Sequence, residues 1–100
     1  IIPFIPKGYL SSWAQYTIKL KDKETRDSIQ AALKEEGIPS MVYYPKPMHN
    51  QEAFEIKGEY EFNTESTDAL CDTVLSLPIH PYITEDDINT VVSAIEKNLK

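Results

Sequence analysis

The sequence predicts an α+β domain, a small sheet with helices packed on it, and three observations carry that prediction. A β-prone segment with Trp13, Tyr16, Ile18 and Leu20 opens the patterned part of the chain. Amphipathic stretches with cap signals follow, one closed by Gly37 and another opened by Thr84. The segments between them are short and extended. The resulting order is strand, helix, strand, helix, short strand, helix, which is a layer of helices on a small sheet.

The first strand is expected over Ser12 to Leu20, with Lys19 and Lys21 turned outward at its end. Asp22 can cap a helix from about Lys23 to Glu36, whose inner face carries Ile29, Ala32 and Leu33. Gly37 then supplies the left-handed residue that ends it. A short strand is expected over Ser40 to Tyr44, closed by Pro45. Pro45 and Pro47 impose an extended loop through Asn50, because each fixes its own backbone and restricts the residue before it. A helical turn is expected over Gln51 to Ile56, then a polar irregular stretch from Lys57 to Asn63. Thr64 to Leu75 reads as a helix with Leu70, Cys71, Val74 and Leu75 inward, and Ser76 to Pro78 as a short strand. In the last helix Thr84 and Asp87 resemble a capping box, and Ile88, Val91, Val92, Ile95 and Leu99 recur at helical spacing. Lys97 and Lys100 suit its C-terminal end.

The 100 residues provide one domain. With 41% hydrophobic and 26% charged residues the chain is globular, not disordered. A net charge of −6 argues against nucleic acid, whose binding needs Lys and Arg on phosphates. No apolar run approaches the roughly 20 residues that span a bilayer, so no membrane partner is expected and the reading is soluble and cytoplasmic. Cys71 is the only cysteine, which excludes an internal disulfide. Ile1 to Pro6 would make a sticky free terminus, and such apolar segments meet partner surfaces. Residues 1–11 are therefore read as a connecting segment from a missing N-terminal domain, and 12–100 as the domain proper.

No complete active site emerges from the residues. Gly8, Gly37 and Gly58 are isolated, which leaves no phosphate cradle. His49 and His80 are 31 residues apart and lack metal-site spacing. His80, in Leu77-Pro78-Ile79-His80-Pro81-Tyr82, reads as a turn residue, and Cys71 as core. Glu85-Asp86-Asp87 reads as a favourable helix start. Arg26, the only arginine, is placed on a solvated helix face. None of the nine lysines sits in apolar surroundings that would activate an amine, and Lys46 is expected to face solvent. No catalytic, cofactor-binding or metal-binding residue is assigned. The candidate binding residues are Tyr43, Tyr44 and His49, three hydrogen-bonding rings on a proline-stiffened loop that loses little entropy on binding. The competing reading, with equal weight, is that the tyrosines only cover the sheet edge.

Four segments in order resemble the C-terminal small domain of the DegT/StrS family of PLP-dependent sugar aminotransferases. They are Trp13-Ala14-Gln15-Tyr16-Thr17-Ile18, Leu33-Lys34-Glu35-Glu36-Gly37-Ile38-Pro39, Tyr44-Pro45-Lys46-Pro47-Met48-His49, and Leu75-Ser76-Leu77-Pro78-Ile79-His80-Pro81 followed by Thr84-Glu85. The resemblance implies the small domain of a fold-type I PLP enzyme. Its parent would work as a homodimer and move an amino group, usually from glutamate, to a nucleotide-linked keto sugar for polysaccharide or sugar biosynthesis. It also implies that PLP (pyridoxal 5'-phosphate) and the aldimine lysine belong to the large domain. This chain alone is then inactive, and Tyr43, Tyr44 and His49 would face the substrate or the dimer partner. The family commonly has His where this chain has Tyr43, and a phenol with a pKa near 10 stays neutral where an imidazole can carry charge. Two alternatives stand beside this reading, a stand-alone small-ligand or peptide binding module and a sugar dehydratase on the same scaffold.

Overall fold

The structure, a computed structural model, describes residues 1–54 and 63–99. Its elements are β1 (Tyr16–Lys19), α1 (Lys23–Glu35), α2 (Glu65–Thr73), β2 (Val74–Leu77) and α3 (Glu85–Asn98), with two single 3₁₀ turns at Met48–Asn50 and Glu52–Phe54. The expected α+β class is found: helices packed on a two-stranded sheet. β1 and β2 pair antiparallel, Tyr16 opposite Leu77 and Ile18 opposite Leu75. This register puts Tyr16, Ile18, Leu75 and Leu77 on one face, against Ile29 and Leu33 of α1 and Ala94 and Ile95 of α3. On the opposite face Thr17 and Ser76, also a register pair, share a 2.7 Å hydroxyl hydrogen bond.

The helix ends follow the cap signals. Asp22 accepts from the Thr25 N–H at 2.8 Å and starts α1. Gly37, at φ 75°, ends it: Ile38 N–H reaches Leu33 O at 2.8 Å and Gly37 N–H reaches Lys34 O at 3.1 Å, the paired bonds of a Schellman ending. Ile38 then packs on the core cluster that includes Leu33. Thr84 and Asp87 close a reciprocal capping box at the start of α3.

Several expectations are corrected. The first strand begins at Tyr16, not Ser12, because Trp13 sits in left-handed backbone (φ 50°) that no strand accommodates. Its N–H bonds Ser11 Oγ in a local turn, and its ring packs on Tyr16 with centroids 5.1 Å apart. The strand expected over Ser40 to Tyr44 reduces to one bridge, Met41 with Ser76. The helix expected to reach Leu75 stops at Thr73, and Val74 and Leu75 belong to β2. Pairing with β1 and full burial of Leu75 outweigh helical spacing there. Leu70, expected inward, is exposed, and Cys71 is half-buried instead of core.

Arg26 is the largest reversal, being 4% exposed instead of solvated. Its Nη1 donates to the carbonyls of Cys71 (3.1 Å) and Val74 (3.3 Å), and its Nε to Asp27 (2.6 Å). The guanidinium thus caps the C-terminal carbonyls of α2, groups that a helix end leaves without backbone partners. Of the helical turn expected over Gln51 to Ile56, Glu52 to Phe54 is found. Glu55 to Phe62, and with them most of the stretch expected over Lys57 to Asn63, lie outside the described residues, as does Lys100.

Candidate functional site

The loop bearing Tyr43, Tyr44 and His49 is held from both ends. At its start Met41 and Ser76 exchange two backbone hydrogen bonds, 3.0 and 2.7 Å, and Val42 packs on the core. This anchor swings Tyr43 over a cleft of about 250 Å³, whose walls include Gln15, Ser40, Met41, Ser76 and Pro78. Tyr43 and Tyr44 are joined by a cis peptide, and their rings meet edge-on with centroids 5.8 Å apart. Tyr43 is partly exposed and Tyr44 is 70% exposed.

After Pro45 the backbone is extended, with Pro47 at φ −66° and ψ 157°. The chain then closes the first 3₁₀ turn through bonds from Asn50 N–H to Pro47 O and from Gln51 N–H to Met48 O. Gln51 Nε2 reaches back to Lys46 O at 3.2 Å, which stiffens the proline segment further. This turn presents His49 to α2, where its Nε2 lies 3.0 Å from Asp68 Oδ1. The other carboxylate oxygen of Asp68 accepts from the Thr64 hydroxyl at 2.9 Å.

The structure thus brings Tyr43 and Tyr44 together and turns His49 to a different partner. Only Tyr43 of the three lines the cleft. Asp68 and Thr64 were not singled out by sequence reading. Thr64 stood at an expected helix start, but nothing local links a residue of α2 to a histidine 19 positions earlier. His80 is found in a turn, its Nδ1 accepting from Tyr82 N–H and its carbonyl from Ile83 N–H. Lys46 is exposed as expected.

The perturbed carboxyls lie elsewhere. Thr25, through its side chain and then its N–H, holds the Asp22 carboxyl below the usual range. Lys23 and then Arg26 do the same for Asp27. Thr84 does so for Asp87, side chain first and backbone second. All three serve helix starts or the Arg26 contact. Among the described residues no lysine is buried and no three His, Cys, Asp or Glu side chains gather as a metal site. No described helix is long and apolar enough to cross a membrane. The loop offers phenol and imidazole hydrogen-bonding groups and aromatic faces, with Tyr43 beside a cleft.

Known proteins resemble this chain along most of its length. A UDP-2-acetamido-2-deoxy-3-oxo-D-glucuronate aminotransferase of Pseudomonas aeruginosa is 34% identical over 93% of this chain and 24% of its own length. A UDP-N-acetyl-3-dehydro-alpha-D-glucosamine 3-aminotransferase of Acidithiobacillus ferrooxidans is 35% identical over 98% of this chain and 25% of its own. The crystal structure of a DegT DnrJ EryC1 StrS aminotransferase from Brucella abortus superimposes with a TM-score of 0.85 at 38% identity, over 96% of this chain and 25% of that one. The chain spans about a quarter of the length of the curated relatives it matches. Residues 2–96 match the DegT/DnrJ/EryC1/StrS aminotransferase family, and the chain belongs to that family.

Proposed function

We propose that this chain is the C-terminal small domain of a PLP-dependent nucleotide-sugar aminotransferase, with residues 1–11 leading in from the large domain. Its loop forms one wall of the sugar cleft. The observation that carries the reading is the placement of Tyr43 over the cleft within a chain that matches the family from residue 2 to 96. The relatives' names place their substrates among UDP-linked keto sugars. The proposed substrate class for the parent is the same: a nucleotide-linked keto sugar, with glutamate as amino donor. The parent works as a cytoplasmic homodimer in polysaccharide or sugar biosynthesis.

The described residues do not fit PLP. The cofactor needs an amine to carry it and a cradle for its phosphate; the described lysines are at most half-buried, and Gly8 and Gly37 stand alone in open space. PLP, which supplies an electron sink for amino transfer, therefore belongs to the rest of the parent. Within this chain the Tyr43 and Tyr44 hydroxyls can donate to sugar hydroxyls or phosphate oxygens, and their rings can stack on a sugar or base face. With Tyr43 where the family commonly has His, that position binds without adding positive charge.

The test is amino transfer by the full-length parent, with PLP, glutamate and a UDP-linked 3-keto sugar. Formation of the amino sugar with 2-oxoglutarate as co-product supports the reading. Loss of water from the sugar without amino transfer would assign the parent to the dehydratases on this scaffold.

A further inference from the structure

We propose that Asp68 is a positioning residue for the sugar-binding role of His49, with Thr64 fixing Asp68 in turn. This inference rests on the reading of the loop as a cleft wall, extends that wall from the Tyr43 cleft to His49, and assigns a role to two residues outside the loop.

The geometry is a relay of two contacts. Thr64 Oγ1 donates to Asp68 Oδ2 at 2.9 Å, and Asp68 Oδ1 faces His49 Nε2 at 3.0 Å. Asp68 stands in the first turn of α2, its N–H bonded to Thr64 O, which fixes the carboxylate on the helix face that meets the loop. A carboxylate only accepts hydrogen bonds, so Nε2 must carry the hydrogen of the 3.0 Å contact. That fixes the tautomer: in the neutral ring Nδ1 is the acceptor, able to take a hydrogen bond from a sugar hydroxyl. The ring also loses rotational freedom before any ligand arrives, and ordering in advance is what tightens binding. His49 is half-buried and Asp68 partly exposed, so the contact leaves the ring edge accessible.

A competing role is a tether that only ties the loop to α2. The two are separable, because lysine at position 49 can still donate to Asp68 but offers no acceptor to a sugar hydroxyl. In the full-length parent, His49→Ala should raise the KM for the nucleotide sugar roughly five- to tenfold, as loss of one hydrogen bond implies. KM for glutamate and the melting temperature should stay near wild type. Asp68→Ala should match that effect, Thr64→Val should give a smaller rise in the same direction, and His49→Lys should be as impaired as His49→Ala. Combining His49→Ala with Asp68→Ala should add nothing further.

If His49→Lys restores the wild-type KM, the pair is a tether and the positioning role is overturned. If His49→Ala raises KM while Asp68→Ala and Thr64→Val do not, the relay is overturned and the cleft-wall reading survives. If His49→Ala leaves KM unchanged, the relay is overturned and His49 has no place in the cleft; amino transfer by the wild-type parent, measured in the same assay, shows whether the family function stands apart from it.

Discussion

Arg26 shows how a single residue can be misread and why. One arginine in a charged amphipathic helix looks solvent-facing, and Asp27 beside it strengthens that impression. Yet positions 26, 29 and 33 share the three- and four-residue spacing of one helix face, and the other two are Ile29 and Leu33, both fully buried. The spacing was in the sequence; the carbonyls that make burial tolerable, those of Cys71 and Val74, come from 45 and 48 residues away. Arg26→Ala strands both carbonyls under the core and should cost about 2–3 kcal/mol. Thermal melting followed by circular dichroism should show a midpoint about 10 °C or more lower. Arg26→Lys should recover only part, since an ammonium lacks the planar fork that serves Nη1 and Nε contacts together. The candidate site divides the same way. Tyr43 and Tyr44 could be read as neighbouring rings on a stiff loop, whereas the turn of His49 toward Asp68 could not, because that pairing is tertiary.

At the scale of elements, local chemistry was readable and tertiary pairing was not. Asp22, Gly37 and Thr84 bound their helices as their residue types require, because capping is decided within four residues. The α2–β2 junction could not be read that way: Val74 and Leu75 fit a helix face by spacing and a strand by β-branching and burial. Pairing with β1 decides between them. Thr84→Ala removes the acceptor for the Asp87 N–H and should destabilise the chain by about 1 kcal/mol in urea titration. The acid side of the stability profile follows from the caps too. Asp22, Asp27 and Asp87 have folded-state pKa values held below their unfolded ones. Their stabilisation is complete above the ordinary carboxylate pKa of about 3.9 and is lost as pH falls through the lower folded values. Urea midpoints measured from pH 6 down should fall below about pH 4, and Asp87→Asn should make that fall shallower.

At the scale of the molecule, surface is the telling quantity. The chain exposes 8211 Å², against about 5,800 Å² for a compact monomer of this mass. Its radius of gyration is 16.1 Å, against about 13 Å for a compact domain of 100 residues. The excess includes large apolar groups: Ile1, Phe4, Tyr9 and Leu10 are at least three-quarters exposed, with the arm pinned through two Ile1–Lys19 backbone contacts at the outer edge of β1. An apolar groove of about 270 Å³ between β2 and α3, lined by Tyr16, Leu77, Ile83, Ile88 and Val92, is open as well. Under the proposed reading, these are surfaces that the rest of the parent would cover. The 100-residue chain titrated with PLP should accordingly show no aldimine absorbance band, while the full-length parent should show one.

The central assignment, that this loop walls the sugar cleft, is tested most directly by the KM of the full-length parent for its nucleotide sugar after Tyr43→Ala and Tyr44→Ala. A cleft wall predicts a rise of roughly tenfold for at least one variant, the size expected for about 1.4 kcal/mol of lost binding, with the KM for glutamate unchanged. Wild-type KM values for both variants would contradict it and leave the tyrosines as cover for the sheet edge.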